Sequence, residues 1–310
     1  MSAPRPVPCP LCGALDQQPL YRPRYSPGPV VRCRRCAMVY VSPRLDTHAL
    51  IFDGPTAAAA AGTLSSADLT DVQDSWEWPL LQAKEAERPA LDRNSRQPLA
   101  ILRDLTGRPG RLLDFGCGGG FFLGAAKAEG WQVFGLEPLP GHAIYARARF
   151  GAQVITDTLR ADSFAPGQFD AITAFQVFEH LPQPRENLQQ LARFLRPGGA
   201  LLIEVPNIAN WGVRLLGPRH RHFVQDHLNF FSAATLSRLL ADGGLTVRGH
   251  YFPSRTLTWA HLLGHWGARV LPGSLGRRAQ ALARRPGFAQ RRARLNLGDI
   301  VAVYGVKPNR

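Results

Sequence analysis

The chain has 310 residues, 45% of them hydrophobic and 19% charged, which is enough for one sizeable α/β core with a small accessory module. Its net charge of +14 sits at the ends: residues 1–50 hold seven Arg against two Asp, and residues 251–310 hold ten Arg and one Lys against one Asp. No segment approaches the roughly 18 apolar residues of a membrane span and no apolar leader follows Met1, so a cytoplasmic chain with no transmembrane segment is expected.

Four of the five cysteines stand in two pairs, Cys9-Pro-Leu-Cys12 and Cys33-Arg-Arg-Cys36, with twenty residues between the pairs. Each Cys-x-x-Cys can bend into a knuckle that aims two thiolates at one ion. Two knuckles make a closed tetrahedral site, so Cys9, Cys12, Cys33 and Cys36 are expected to hold structural zinc. Disulfides are the alternative, and they belong to oxidising compartments. Residues 1–45 therefore read as a zinc-ribbon module, because some forty residues of this composition bury too little apolar surface to fold without metal. Residues 46–97 read as linker and lid helices. Ala57–Ala61 and Gly62–Ser66 form the connection, and Asp74–Arg96 has helical spacing (Trp76, Trp78, Leu81, Ala86) interrupted at Pro79 and Pro89. A plain packing helix is the alternative to a lid.

The third segment, 98–310, opens with an apolar period (Leu99, Ile101, Leu102, Leu105) that predicts a helix over 98–106. Arg111–Phe122 then reads as a buried strand, an acidic residue (Asp114), a turn packed with glycines at 116, 118, 119 and 120, and the start of a helix. Glycines let backbone approach a ligand, and the helix that follows aims unpaired N–H groups at the same place. A dinucleotide fingerprint needs a third glycine three residues after the second, where this chain has Phe121. A carboxylate beside the turn repels pyrophosphate and attracts an ammonium or sulfonium group. The next strand, Gln132–Pro138, ends in Glu137, placed to accept from ribose hydroxyls. These two acids favour S-adenosylmethionine over NAD. Cys117 reads as a small side chain packed beneath the cofactor.

Strands are predicted near 111–115, 132–137, 152–156, 169–175 and 199–205, and helices near 119–129, 141–149 and 184–196. This alternation predicts an α/β fold, with a parallel sheet and helices on both faces. Ligands bind such sheets at the carboxyl ends of the strands, where Gly116–Gly120, Glu137, Asp157 and Phe175–His180 all fall.

With Asp114–Gly120 and Glu137, three further motifs carry a family resemblance: Phe169–Leu181, Leu195–Asn207 and Asp226–Leu236. Over about residues 98–250, and again at Leu297–Lys307, the sequence resembles the class I S-adenosylmethionine-dependent methyltransferases, in particular their ubiquinone-methyltransferase-like branch. The resemblance implies a Rossmann-like, mostly parallel sheet of seven strands, completed near 246–252 and 298–305, and S-adenosylmethionine as cofactor. It implies that Asp114, Gly116, Gly118 and Gly120 line the methionine end and that Glu137 holds the ribose. Asp157 and Thr158 would meet the adenine edge, and Phe175 and Gln176 would pass beside the adenosine. A zinc ribbon ahead of such a domain also resembles sugar and natural-product methyltransferases.

Methyl transfer needs alignment of nucleophile and methyl and, for some acceptors, a base. His180 is the first base candidate, after the fourth strand of the core, and His227 the second. Relatives with Glu-x-x-Glu-His at this loop can hold a divalent metal; here the first position is Gln176, and one carboxylate with one imidazole poorly suits a hard dication. His220 and His222, flanked by arginines, are read as anion contacts or as a solvated loop. Residues 254–296 form an insertion whose amphipathic Thr256–Leu271 could cover the substrate or touch a membrane surface. Its arginines, from Arg277 to Arg294, read either as a solvated charged helix or as a basic face that suits an anionic, phosphate-bearing acceptor. The expected function is methyl transfer to a small molecule such as a sugar, nucleotide sugar or lipid precursor, with no specific nucleic acid as partner. The alternative is a nucleic-acid-binding or nucleic-acid-modifying protein that uses the ribbon and the Arg-rich tail.

Overall fold

The computed structural model of the chain describes residues 6–44, 72–73, 75–259, 273–285, 287 and 291–309. Strands β1 (Gln17–Tyr21), β2 (Val30–Cys33) and β3 (Val39–Val41) form an antiparallel meander that carries the four-cysteine cluster. This small sheet continues past the ribbon. Strand β3 pairs with β9 (Asn229–Phe230), which sets Val39 opposite Phe230 and Tyr40 opposite Asn229. Val30, Val39 and Val41 are buried in one cluster with Val213, Phe223 and Phe230, so ribbon and large domain share a core.

Helices α1 (Trp78–Ala86) and α2 (Arg88–Thr106) lead into the large domain. Pro79 and Pro89, which the sequence reading treats as interruptions, instead lie in the first turns of α1 and α2, where a missing N–H leaves no bond unmade. The helix predicted over 98–106 is the second half of α2, which keeps Pro98 in its interior. Burial of Ala90, Ser95, Leu99 and Leu102 along one face holds α2 together across the bond that Pro98 cannot donate.

The main sheet has seven strands: β4 (Arg111–Phe115), β5 (Gln132–Leu136), β6 (Gln153–Ile155), β7 (Phe169–Phe175), β8 (Leu195–Pro206), β10 (Thr246–Tyr251) and β13 (Ile300–Val306). Their order is β10-β13-β8-β7-β4-β5-β6, and only β13 runs antiparallel to its neighbours. The period of two sorts the strand residues onto two faces. Leu113, Ile172, Leu201 and Ile203 pack in one core; Leu112, Ala171, Ala200 and Leu202 pack in the other. Helices α3 (Phe121–Ala128), α4 (Pro140–Phe150) and α5 (Pro184–Phe194) make the crossovers, followed by the short α6 (Trp211–Leu216) and by α7 (Ala233–Asp242). Strand β8 starts earlier than predicted, because Leu195 already pairs with Phe169; the register slips before Ala171, and Gly198 takes a φ of 70° in the same stretch.

In the insertion, β11 (Arg255–Thr258) pairs antiparallel with β12 (Arg292–Leu295), and α8 (Gly273–Ala283) lies between them in sequence. The connection Ala57–Ser66 and most of the amphipathic segment Thr256–Leu271 lie outside the described residues. Among the described residues, no helix is long and apolar enough to cross a membrane.

Candidate active site

The turn after β4 is built by backbone that only glycine adopts cheaply. Gly116, Gly118 and Gly120 have φ of 72°, 53° and 76°. A Cβ on Gly116 would lie 2.5 Å from Val177, and one on Gly120 would lie 2.7 Å from the Cβ of Ala146, so these two positions also close the packing. Gly118 differs: its nearest neighbour would be the His142 ring at 4.0 Å, which leaves open space beside the turn. That opening is what a ligand lying along the backbone requires. Helix α1 rests against the same turn, since a Cβ on Gly119 would lie 2.6 Å from Leu81. Just before α1, buried Glu77 accepts from the His142 backbone N–H and pairs with His142 Nδ1, both at 2.7 Å.

Two buried carboxylates border this turn. Asp114 accepts from Thr173 Oγ1 at 2.7 Å, its register partner on β7, and burial lifts its carboxyl to about 7. Glu137 accepts from Gly118 N at 2.7 Å and from Leu139 N at 3.0 Å; burial raises its pKa as well. Glu137 thus ties the end of β5 to the glycine turn. Each of its oxygens keeps acceptor capacity beyond one N–H. Both acids hold charge reluctantly, and a cation or a set of hydroxyl donors would relieve that cost. Cys117 is packed near Gly135, and burial pushes its thiol well up, which matches an inert packing residue. Asp157 follows β6, accepts from Thr158 N at 2.7 Å and pairs with Arg160. Phe175 stacks on Phe122 at 4.6 Å between ring centres, and Gln176 follows with a φ of 57°, a conformation rare outside glycine.

The two base candidates, far apart in sequence, meet in space. The rings of His180 and His227 lie 4.8 Å apart, edge to face. His180 Nδ1 bonds the carbonyl of Asp226 at 2.9 Å, and His227 Nδ1 bonds the carbonyl of His222 at 2.9 Å. A carbonyl only accepts, so each Nδ1 carries a proton, and the neutral tautomer of either ring leaves Nε2 with its lone pair. Burial and the neighbouring His180 push His227 down to about 4, so its ring is neutral at physiological pH. Glu179 completes the group: its carboxylate, His180 and His227 offer ligand or base atoms all within 4.8 Å of one another. Both Glu179 oxygens are buried without a hydrogen-bond partner, and burial lifts its carboxyl well above the usual range. Spacing alone presents one carboxylate and one imidazole at this loop; the fold adds a second imidazole. His220 and His222 are neither solvated nor placed to attract an anion. Both are buried, set edge to face at 4.4 Å and kept neutral by desolvation, which holds His220 at about 4.

In the ribbon, Cys9 Sγ lies 3.4 Å from Cys36 Sγ, Cys12 Sγ lies 3.5 Å from Cys33 Sγ, and all four sulfurs fall within 4.8 Å. All four are free thiols. Sulfurs about 2.3 Å from one central ion would be about 3.8 Å apart, so the cluster has the size of a tetrathiolate site. Sequence reasoning missed the partners that position the site: Thr173, Glu77, and Glu204, which takes a hydrogen bond from Gln176 Nε2 at 3.3 Å. Strand register alone would have revealed Thr173, and a single sequence does not supply it.

A family model for a methyltransferase domain matches residues 86–250. The ubiquinone biosynthesis O-methyltransferase of Aeromonas salmonicida is 30% identical over 164 residues, which cover 46% of this chain and 67% of that protein. Its namesake from Methylococcus capsulatus is 30% identical over 162 residues, 47% of this chain and 66% of its own. This chain therefore spans about two thirds of the length of these curated relatives. Among solved structures, a chain of the complex between the Haloferax volcanii Trm112 methyltransferase activator and a putative methyltransferase aligns with a TM-score of 0.51, 18% identity and coverage of 77% and 97%. An S-adenosylmethionine-dependent methyltransferase from Archaeoglobus fulgidus aligns with a TM-score of 0.50, 18% identity and coverage of 75% and 100%. These two likenesses speak for the fold alone. With more than half of its length inside the matched domain, the chain belongs to the methyltransferase-domain family and is a class I S-adenosylmethionine-dependent methyltransferase.

Proposed function

We propose that this protein methylates a hydroxyl of a small-molecule acceptor, a sugar, nucleotide sugar or lipid precursor, and that zinc in the four-cysteine ribbon has a structural role. The observation that carries the reading is the convergence of Glu179, His180 and His227 at the end of β7, the same sheet edge that holds the glycine turn and Glu137. The printed name of the relatives, O-methyltransferase, supports oxygen as the acceptor atom.

S-adenosylmethionine supplies a methyl group already activated by positive sulfur. The chain's part is to bind and align. Asp114 and the backbone of Gly116, Gly118 and Gly120 receive the cationic methionine end, and Glu137 receives the ribose hydroxyls. Asp157 and Thr158 border the adenine, with Phe175 and Gln176 alongside. His227 or His180, each with a free Nε2, takes the proton that the acceptor hydroxyl gives up as its oxygen bonds the methyl carbon. Burial raises the carboxyl of Glu179 beside these rings and makes its charged form costly there. In the ribbon, Cys9, Cys12, Cys33 and Cys36 would all be committed to zinc, which leaves no open position for catalysis.

The test is release of S-adenosylhomocysteine over a panel of phosphorylated sugars, nucleotide sugars and lipid precursors, with wild type and His227→Ala and His180→Ala variants. Loss of one base is expected to lower kcat by about 10² to 10⁴ with the affinity for S-adenosylmethionine unchanged. Unaltered kcat in both variants with a turned-over acceptor would remove the histidines from the mechanism.

A further inference from the structure

A recess lies beside the carboxyl end of β8, away from the histidine cluster's own residues. Between α2 and the β11–β12 pair is a cavity of about 560 Å³ whose charged lining is Arg93, Arg96 and Arg294. No carboxylate lines it, and none of these three guanidinium groups has an ion-pair partner among the described residues. Neutral donors complete the wall. Asn94 accepts from Thr256 N through Oδ1 at 3.2 Å, which leaves its amide N–H₂ for a ligand. Three like charges around one recess repel each other unless an anion joins them.

The recess adjoins a pocket of about 10 Å³, also lined by Arg93 and Arg294, with Glu204, Tyr251 and Arg255. Two buried donors here are unpartnered: Tyr251 Oη and Arg255 Nε. The other end of Arg255 is held by an ion pair to buried Glu204. A space of this size admits about one oxygen atom with its lone pairs. The pocket also leads back to the cofactor edge, because Glu204 accepts from Gln176 just after β7. Residues from α2, β8, β10, β11 and β12 thus build one polar recess two hydrogen bonds from the proposed adenosine loop.

Building on the methyl-transfer reading above, we propose that this recess anchors the diphosphate group of the methyl acceptor. A diphosphate carries two to three negative charges, which match Arg93, Arg96 and Arg294. Its oxygens suit the fork geometry of guanidinium, and one of them reaches the small pocket where Tyr251 Oη and Arg255 Nε lack acceptors and where the Glu204 carboxylate is already paired with Arg255. A single carboxylate would leave two of the arginines uncompensated. The volume exceeds what a diphosphate needs and leaves room for the group it is attached to.

The experiment is calorimetric titration of full-length, zinc-loaded protein with inorganic pyrophosphate, beside an Arg93→Gln/Arg294→Gln double variant and Tyr251→Phe. S-adenosylmethionine is titrated into each sample as the control for folding. Pyrophosphate is expected to bind wild type, and the double variant to lose at least about tenfold in affinity, with the cofactor response unchanged. Uridine diphosphate and farnesyl diphosphate identify the attached group: whichever binds tighter than pyrophosphate marks a nucleoside or an isoprenoid acceptor. A wild type that binds cofactor but no pyrophosphate overturns the diphosphate anchor and leaves the methyltransferase reading standing. Equal pyrophosphate affinity in wild type and double variant overturns it too. A wild type that binds no cofactor overturns the methyl-transfer reading, and this proposal with it.

Discussion

Asp114 shows how burial turns an ordinary carboxyl into one that titrates near neutral pH. Its folded value of about 7 stands above the ordinary 3.8 because water is excluded around it, with Glu137 adding repulsion. The sign follows from linkage. The folded chain keeps this proton over a range where the unfolded chain has lost it, so the stabilisation is full below about pH 4 and is lost as pH rises through 7. Binding of a cation runs the other way, because it needs the carboxylate. Affinity for S-adenosylmethionine is expected to rise about tenfold from pH 6 to pH 8, with proton release visible as a dependence on buffer ionisation enthalpy. Asp114→Asn should weaken binding and flatten that profile. At Gly120 the constraint is steric: Gly120→Ala meets Ala146 at 2.7 Å with a φ of 76°, and a loss of about 1–3 kcal/mol in unfolding free energy is expected from denaturant titration.

At the scale of elements, β3 joins ribbon to active-site loop. Val41 N bonds the carbonyl of Leu228 at 2.9 Å, next to His227, and Tyr21 packs on Phe223 at 5.4 Å. Removing the zinc proposed for the ribbon should therefore reach the histidines without touching them. Chelation, or Cys12→Ser with Cys33→Ser, is expected to lower Tm by several degrees and kcat by about tenfold or more, with cofactor affinity nearly intact. Differential hydrogen exchange would place the loosened amides in residues 219–231. The sequence made the strands of the sheet legible to within a few residues, because Leu112–Phe115, Ala171–Ala174 and Ala200–Val205 are short, mostly apolar stretches, each carrying a single buried polar residue (Asp114, Thr173, Glu204). The pairing of β3 with β9 was not legible, since a two-residue strand has no period to read. Glu179 and His180 are neighbours in sequence, but their meeting with His227 depends on a chain return that no local pattern encodes.

Over the whole molecule, charge and chemistry separate. The near-neutral middle of the chain carries the cofactor turn and the histidines, and the basic residues crowd the ends. Charge of this kind permits nonspecific association with nucleic acid, so random duplex DNA is expected to bind no tighter than about 10⁻⁴ to 10⁻⁶ M at physiological salt and to release steeply as salt rises. The fold brings one arginine of the basic C-terminal end, Arg294, beside Arg93 and Arg96 of the middle segment around one cavity. Composition could count arginines without telling which of them gather. The central claim, that the ends of β4 to β7 form an S-adenosylmethionine site, is tested most directly by calorimetry of the purified, zinc-loaded protein beside Glu137→Ala. Micromolar binding by wild type that falls at least about a hundredfold in the variant is the predicted result, because Glu137 holds the N–H of Gly118 and is the proposed acceptor for the ribose. A folded wild type that takes up no S-adenosylmethionine, or a variant that binds it equally well, would contradict the account.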